Sequence, residues 1–488
     1  MPLQKYSRNR HASLPHRRNI MARYNKVSKE LLDELLALLG KHNMTTDPEK
    51  LDAYKTDEES NPIYFHTPEV VVFPETTEQV AAIMKLANKY MVPVTPRGGG
   101  SSLACGAVPV YNGIVLCLEK MNKIIEVNKD ALYMITEAGA ITTAVQAAAK
   151  EAGLYYASDP SSKASSEIGG NIATNAGGSR VVKYGTTRDQ VYWLEIVTPT
   201  GEITRVGKRL QKNTTGYALE KLICGSEGTL GVVTKICLKL RPIAPFHFDL
   251  VGIFKDVNDA LAVPNQLQKA GVQPTAIEFL DTNAIQSAER FLKMDLPYSK
   301  ENGNYIIVTV DSYDQDDLDN RVATADEICQ NNHAAETLVA DDRIWNARYC
   351  NGEAARNDSL VYLAEDIVVP VDKIPDLMAK LPEIEKQYNI ATTVVAHIGD
   401  GNIHVNALKM DMSLEKWNEV IPQYHNTLYS FVYSLGGCLS GEHGIGLRKL
   451  AEMKKFTDPV ELGMMEAIKK ALDPNLILNP AKIFDFGD

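Results

Sequence analysis

Two histidines flank an Asp-Gly pair in the stretch VVAHIGDGNIHVNAL, residues 394–408. An Asp-Gly pair between two alternating apolar runs predicts a β-hairpin with a two-residue turn. In that register His397 lies directly opposite His404, and Asn406 follows on the same face of the hairpin. Two imidazoles this close can bind one metal ion, although a pair satisfied only by hydrogen bonds remains the alternative.

A carboxylate and a third histidine stand together near the end of the chain, in SGEHGIGLRK. Glu442 and His443 lie between two glycines, where a loop can approach other groups closely. A carboxylate added to two histidines would complete a metal site with open positions for a substrate. A solvated loop is the alternative.

Three glycine-rich stretches precede residue 235: PRGGGSSLACGA (96–107), SDPSSKASSEIGGNIATNAGGSRVVKYG (158–185) and CGSEGTLGVVT (224–234). Consecutive glycines let several backbone N–H groups converge on an anion. The first stretch is neither a P-loop nor a good dinucleotide fingerprint, and alone it could be a structural turn. The second is polar, but its short apolar steps predict an ordered loop. Together the three predict one extended, phosphate-bearing ligand across a single domain.

The elements that position these residues follow from the apolar periodicity. A helix over 28–40, ending at Gly40, precedes a β-α-β unit that leads into the first glycine stretch. Its helix begins at Thr76, with Gln79 in a capping box. After a boundary at 241–245, strands alternate with helices up to residue 410, and a last long helix over 413–435 delivers the chain to Glu442.

Composition narrows the class of protein. The chain has 488 residues, a formal net charge of −11 and no apolar run near the ~20 residues of a membrane span. These features exclude an integral membrane protein and argue against nucleic acid as the main partner. The seven cysteines form no C-x-x-C pair, which argues against a zinc ribbon or an iron–sulfur cluster and favours reduced thiols in the cytoplasm.

The first residues are basic and contain no acid. They predict a disordered tail or an upstream start before Met21, and a mitochondrial presequence, which would place the protein in the matrix, is the alternative. The predicted division is a tail (1–27), a helical segment (28–65), a ligand-binding domain (66–243), a second α+β domain (244–430) and a C-terminal segment (431–488).

Several motifs together resemble one family. PRGGGSSLACGAV, DPSSKASSEIGGNIATNAGG, the following YG, GSEGTLGVVT and DPNLILNPAKIF are similar to motifs of the FAD-dependent 2-hydroxy-acid dehydrogenases of the vanillyl-alcohol-oxidase superfamily, over about residues 50–488. The resemblance implies an α+β fold: a PCMH-type FAD-binding domain, an α+β substrate (cap) domain, and a C-terminal segment that returns to the flavin. Because the first glycine stretch has no histidine, it also implies that FAD is bound non-covalently.

The resemblance implies a set of FAD contacts. The pyrophosphate is expected at Arg97, Gly98, Gly99, Gly100, Ser101 and Ser102. Further FAD contacts are expected from Asp159, Ser161, Gly169, Gly170, Asn171, Thr174, Gly177, Gly178, Gly228, Val233 and Asn479.

The resemblance also implies roles in the active site. His397, His404 and Glu442 would bind a divalent metal (zinc, iron or manganese), and His443 would be the catalytic base. Asn406 would contact the substrate. Arg348, in RIWNARYCNGE, would grip the substrate carboxylate through two contacts, with an arginine on a helix surface as the alternative.

The expected reaction is the oxidation of a D-2-hydroxy acid to a 2-oxo acid. Relatives that oxidise 2-hydroxyglutarate carry a lysine where this chain has Ala364, beside Glu365, which favours a short monocarboxylate such as D-lactate. Glycolate, 2-hydroxyglutarate, or a non-catalytic FAD subunit of a redox complex are the alternatives. Electrons are expected to leave to a partner protein, an electron-transferring flavoprotein or an iron–sulfur subunit.

Overall fold

A computed structural model describes residues 23–59 and 61–486. Most of the predicted basic tail, 1–27, lies outside these residues. The end of that segment packs on the fold. The hydroxyl of Tyr24 donates to the carbonyl of Leu476 at 2.6 Å, and the backbone amide of Asn25 donates to the carbonyl of Met91 at 2.9 Å. Residues 24 and 25 of the predicted tail therefore contact the fold, and the boundary of the tail stays a prediction.

The first part of the chain begins as the periodicity predicts. Helix α1 begins after Ser28, whose hydroxyl accepts from the amide of Leu31 and caps the helix. Thr76 caps α3 through the amide of Gln79, but the Gln79 side chain accepts from the preceding residue, Glu75, so the predicted capping box forms only in part. The elements are α1 (Lys29–Leu39), β1 (Met44–Thr45), α2 (Pro48–Leu51), β2 (Val70–Val72), α3 (Thr77–Tyr90), β3 (Val94–Arg97) and β4 (Ile114–Cys117).

Two sheets form this part. The first has the order β1-β2-β4-β3, with β2 and β3 parallel to β4, as expected for a β-α-β unit. The second is antiparallel, with the order β5-β6-β10-β8-β9. Its elements and those around it are β5 (Ile124–Asn128), β6 (Tyr133–Glu137), α4 (Thr142–Glu151), β7 (Leu154–Tyr155), α5 (Ile168–Thr174), α6 (Val181–Tyr184), β8 (Val191–Val197), β9 (Ile203–Gly207), α7 (Leu219–Ile223), β10 (Val232–Lys239) and β11 (Arg241–Pro242).

The polar stretch 158–185 is ordered as predicted, but it contains the helices α5 and α6 rather than loop alone. The sequence hides α5 because two of its seven residues are glycines, each unfavourable in a helix by ~1 kcal/mol. Packing compensates, since Ile168 and Ile172 are fully buried. A side chain at Gly169 would lie 2.8 Å from the Cβ of Ala138, so only glycine permits this close approach.

The second part is a seven-stranded antiparallel sheet with the order β15-β12-β14-β13-β17-β18-β16. Separate apolar clusters pack helices on both of its faces, which confirms the predicted sheet covered by helices. Its elements are β12 (Phe246–Phe254), α8 (Val257–Lys269), β13 (Ala276–Leu280), α9 (Thr282–Leu292), β14 (Asn304–Ser312), α10 (Gln315–Asn331), β15 (Glu336–Val339), α11 (Asp342–Tyr349), α12 (Asn351–Asp358), β16 (Tyr362–Val368), α13 (Ile374–Tyr388), β17 (Ala391–His397) and β18 (Asn402–Leu408).

The C-terminal segment returns to the first part. After α14 (Leu414–Ser434), α15 (Leu450–Phe456) and α16 (Pro459–Leu472), the amide of Asn479 donates to the carbonyl of Val94 at 2.7 Å, and Leu478 forms a parallel bridge with the same strand. Gly446 lies so close to the carbonyl of Ala104 that a side chain would clash. The last residues thus extend the first sheet and close on the first glycine stretch.

No helix of the described residues is both long and apolar enough to cross a membrane. All seven cysteines are free. The exact domain boundaries remain predictions.

Candidate functional site

The hairpin of β17 and β18 places the two histidines on one face, but not directly opposite each other. His397 pairs with Asn402, and Val395 pairs with His404, so residues 398–401 form a four-residue loop instead of the predicted two-residue turn. The amide of Asn402 donates to the side chain of Asp400 at 3.2 Å, which closes the longer loop. The histidines are diagonal neighbours, with ring centroids 5.3 Å apart, so the correction leaves the predicted pair intact.

Glu442 completes the predicted donor set. Its Oε1 lies 3.7 Å from Nε2 of His397 and 3.4 Å from Nε2 of His404, and one ligand atom from each residue falls within a sphere that could hold a metal ion. Burial alone would raise the pKa of Glu442, but the two histidines lower it well below its usual value. The carboxylate is therefore ionised and available as a ligand.

A second layer of carboxylates fixes the ligand rings, and sequence reasoning missed it. Nδ1 of His397 lies 2.7 Å from Oε1 of Glu278, which leaves Nε2 to face Glu442. Burial would lower the pKa of His397, but Glu278 raises it to about 10. Carboxylate partners of this kind orient histidine ligands and raise their basicity. The only sequence signal was an acid in the otherwise apolar strand TAIEFL.

Asp366 is the corresponding residue beside His404, with Oδ1 3.8 Å from Nδ1 of that ring. Asp366 is fully buried and accepts from the amides of Glu442 (3.0 Å) and His443 (2.8 Å) and from the hydroxyl of Ser440 (2.6 Å). Asp366, His404 and His443 form an overlapping candidate donor set. Because the oxygens of Asp366 are already occupied, it serves better to hold the Glu-His loop against β16.

His443 lies at the junction of the donor set and a large cavity. Its ring stacks on His404 at 5.4 Å between centroids, and its Nε2 is 4.0 Å from Oε1 of Glu442. Burial lowers the pKa of His443, and the nearby Asp366 opposes this shift. A neutral imidazole on a cavity wall can accept a proton.

Arg348 and Asn406 also lie at this site. Arg348 is only 8% exposed, so it is not a helix-surface arginine. Its Nε donates to Glu278 at 2.6 Å and its terminal nitrogen lies 3.4 Å from Nδ1 of His397. The amide of Asn406 donates to Asn351 at 3.0 Å and to Thr393 at 3.2 Å. One donor of Arg348 is therefore committed to the protein, and its contact with a substrate stays a prediction.

A cavity of about 1370 Å³, counted to its open mouth, runs from Glu442 and His443 along all three glycine-rich stretches. Most of the predicted FAD contacts line it: Arg97, Gly98, Gly99, Gly100, Ser101, Ser102, Ser161, Gly169, Gly170, Asn171, Thr174, Gly177, Gly228, Val233 and Asn479.

Two predicted contacts do not line the cavity. Asp159 forms ion pairs with Lys163 at 2.7 Å and with Arg180 at 3.4 Å. Gly178 lies against the backbone of Asp159, where a side chain would clash. Both residues shape the loop behind the wall, and their direct contact with the ligand stays a prediction.

The wall fits a large polar ligand that approaches the backbone. A side chain at Gly170 would meet no protein atom within 4 Å, whereas one at Gly177 would lie 2.7 Å from Oε2 of Glu442. Asn479 donates to the carbonyl of Glu227 at 2.7 Å, while its own Oδ1 is buried without a partner. An orphaned acceptor in a cavity wall indicates a ligand donor.

Glu227 joins the third glycine-rich stretch to the Glu-His loop, a link that the sequence did not predict. Its carboxylate accepts from the amides of Ile445 at 2.8 Å and Gly446 at 2.7 Å. This link holds His443 and Glu442 at the end of the cavity.

Sequence comparison also divides the chain into two parts. Residues 68–207 match the model of an FAD binding domain, and residues 250–483 match the C-terminal domain of the FAD linked oxidases. Fold and site therefore define an FAD-linked oxidoreductase.

Individual proteins match over nearly the whole chain. D-lactate dehydrogenase of Anaerostipes hadrus is 34% identical over 470 residues, which cover 94% of this chain and 98% of that protein. Glycolate oxidase subunit GlcD of Bacillus subtilis is 30% identical and covers 94% and 97%. The chain belongs to the family of FAD-linked oxidases. The structure of p-cresol methylhydroxylase, 17% identical, superposes with a TM-score of 0.79 over 94% of this chain and 98% of that one, which confirms the PCMH-type fold.

Proposed function

We propose that the protein oxidises a D-2-hydroxy acid, with D-lactate as the preferred substrate and pyruvate as the product, using FAD and a divalent metal. The observation that carries the proposal is the convergence of His397, His404 and Glu442 beside His443, at one end of the cavity that fits FAD. The similarity to a protein named D-lactate dehydrogenase supports the same substrate class.

The donor set suits a divalent cation. Two buried carboxylates, Glu278 and Asp366, and the partly buried Glu442 surround the histidines, and the nearby Arg348 offsets only part of their negative charge. His397, His404 and Glu442 would hold the cation, as a two-His-one-carboxylate set with open positions. A cation held there would lower the pKa of a substrate hydroxyl.

His443 would accept the proton of the C2 hydroxyl while the C2–H bond breaks. FAD, when bound, supplies the acceptor for that hydride. The neutral ring expected from the lowered pKa of His443 is the form required of a base. The backbone amide of His443 donates to Asp366 at 2.8 Å, which fixes the base relative to the donor set.

Arg348 would hold the substrate carboxylate with the donors that Glu278 leaves free. Its position beside His397 would orient C2 toward the cavity. Glu278 contacts both Arg348 and His397. One carboxylate would therefore position the arginine that binds the substrate and the histidine that binds the metal.

The strand β16 bears on substrate size. Ala364 pairs with Asn406 and lies on the face of the donor set, where it offers no cation to a second carboxylate. The second half of the sequence argument was wrong, because Glu365 pairs with Val405 and points to the opposite face, where it binds His425. Ala364 alone therefore supports a short monocarboxylate.

Electrons would leave to a partner protein, either an electron-transferring flavoprotein or an iron–sulfur subunit. The seven cysteines are scattered through the sequence without a C-x-x-C pair, which supports an electron acceptor on another protein. A cytoplasmic location stays a prediction.

Anaerobic reduction tests the proposal. D-lactate should bleach the flavin absorption of the holoenzyme, and L-lactate should not. Faster bleaching by glycolate or D-2-hydroxyglutarate would reassign the substrate, and no bleaching by any of them would indicate a non-catalytic FAD subunit.

Ala364→Lys should increase the rate of flavin reduction by D-2-hydroxyglutarate relative to that by D-lactate, with Ala364→Met as a control for size alone. An unchanged ratio of the two rates would contradict the argument that Ala364 favours a monocarboxylate.

A further inference from the structure

Glu167 is a buried carboxylate in the cavity wall that the roles above do not use. It immediately precedes α5, is 5% exposed and lines the cavity. Its Oε2 is buried without a hydrogen-bond partner. Buried carboxylates are almost always paired, so this orphaned atom indicates a partner that the protein itself does not supply.

The neighbours of Glu167 point to the partner's chemistry. A Cβ built on Gly98 would lie 3.4 Å from the Cβ and from Oε2 of Glu167, so the carboxyl borders the glycine loop expected to hold the FAD pyrophosphate. Backbone amides of such a loop attract an anion. An ionised carboxylate beside that anion would be repelled, whereas a protonated one can donate to it.

The charged groups around Glu167 favour the protonated form. Burial, and to a smaller extent the charge of Glu119 after β4, raise its pKa to about 8, although Arg97 of β3 acts in the opposite direction. The thiol of Cys117 also faces it from β4. Arg97 does not neutralise Glu167 by direct pairing, because its guanidinium donates to the carbonyl of Thr56 at 2.8 Å and stacks on Tyr54.

We propose that Glu167 is an FAD-binding residue whose neutral carboxyl group donates a hydrogen bond to a pyrophosphate oxygen of the cofactor. Protonation of Glu167 and binding of FAD are then coupled. At neutral pH the proton is present and FAD binds tightly. As the pH rises through about 8, the free protein loses that proton and FAD affinity falls, by up to about tenfold for each pH unit.

Titration of the apoprotein with FAD between pH 6 and 10, followed by flavin fluorescence, tests the coupling. The parent protein should lose affinity above pH 8. Glu167→Gln keeps a donor but cannot ionise, so it should bind within about threefold of the parent at pH 7 and stay constant to pH 10. Glu167→Ala should bind at least tenfold more weakly at pH 7, also without pH dependence. ADP, which carries the pyrophosphate without the flavin, should show the same pattern as a competitor.

Glu119→Gln is a matched control, because it removes the neighbouring charge and leaves Glu167 in place. It should move the loss of affinity to lower pH. A parent protein that binds equally at pH 7 and 9.5 while Glu167→Gln binds worse at both would overturn the proposal, because Glu167 would then be an ionised acceptor for ribose hydroxyls. Equal binding by all variants would exclude a contact. Circular dichroism of each apoprotein identifies variants that fail to fold, and Glu167→Gln, nearly identical in shape, keeps the test decisive.

Discussion

The two faces of β16 hold the same residue types in opposite arrangements. Asp366 faces the donor set with His404, and its neighbour Glu365 faces the other way, with His425. On the first face the nitrogens of His397 and His404 converge on one open point beside the cavity. On the second face His425, Tyr429 and Lys449 converge on the Glu365 carboxylate, and the other ring nitrogen of His425 faces Glu452.

The second face forms a closed network. Glu365 is almost fully buried and accepts from the Tyr429 hydroxyl and from Nε2 of His425 at 3.0 Å, with Lys449 3.9 Å away. Burial would lower the pKa of His425, but Glu365 raises it to about 9, so the pair is ionised. His425 and Tyr429 lie on α14, so this helix covers Glu365. The comparison teaches that the same residue types can form a site where they border a cavity and a structural ion pair where a helix covers them.

His443→Ala should have the largest effect on turnover. Loss of a general base typically costs 10²–10⁴-fold. The rate of anaerobic flavin reduction by D-lactate should fall by about that factor while the bound-FAD spectrum stays unchanged. His425→Ala, on the closed face, should keep most of its turnover. Comparable rate losses in His443→Ala and His425→Ala would contradict the distinction between a functional and a structural face of β16.

Metal removal should affect only the function of the β16 face that carries Asp366 and borders the donor set. Treatment with a chelator should abolish flavin reduction and retain FAD, and Glu442→Gln should lower the metal content measured by inductively coupled plasma mass spectrometry. Both results follow because a site with one ligand missing binds metal weakly. A protein purified without metal and insensitive to the chelator would contradict the metal assignment.

Glu278→Gln should weaken metal binding without removing a ligand. Partners of ligating histidines typically contribute 10–100-fold to metal affinity. Titration of the metal-free protein with zinc checks the expected loss. Glu365→Gln makes the same change on the closed face, and it should lower stability, by about 3–5 kcal/mol for a broken buried pair, with zinc affinity unchanged.

His425→Gln should have the smallest effect on turnover and a pH-dependent effect on stability. Because the folded-state pKa of His425 is raised to about 9, its pairing contributes fully below pH 6.5 and is lost as the pH rises through 9. A shift of this size corresponds to about 3 kcal/mol. Urea unfolding at pH 6 and pH 9 should show this difference in the parent and not in the variant. The exposed His333→Gln is the control, and an equal pH dependence in the parent and His425→Gln would contradict the assignment.

Features of the site that neighbouring residues determine could be predicted from the sequence. Features that depend on contacts between distant residues could not. The period of two in a strand placed His397, His404 and Asn406 on one face despite the wrong register, because a shift of two residues preserves the face. The register depended on the loop, where the side chain of Asp400 closes a longer turn. Sequence could not place Glu278, because it reaches His397 from a strand 119 residues earlier.

The fold was predictable where apolar periodicity dominates, as in α1, α3, α14 and the strands of the second part. It was not predictable in α5, where buried isoleucines and a close contact at Ala138 outweigh the cost of two glycines. Asp159 and Gly178, predicted to contact FAD, lie outside the cavity lining, and their direct contact with FAD stays a prediction. Small polar residues in one stretch serve the ligand or the loop, and only packing distinguishes them.

The bridge between Leu478 and Val94 has a consequence for how the protein is made. A ribosome completes the first sheet's other strands hundreds of residues before it adds Leu478 and Asn479, which close the cavity wall. During synthesis the nascent first part therefore exposes the edge of β3 and lacks Asn479, Glu442 and His443. We therefore expect FAD to enter the complete cavity only after residue 479 has been synthesised, and the edge of β3 to stay open to other strands until then.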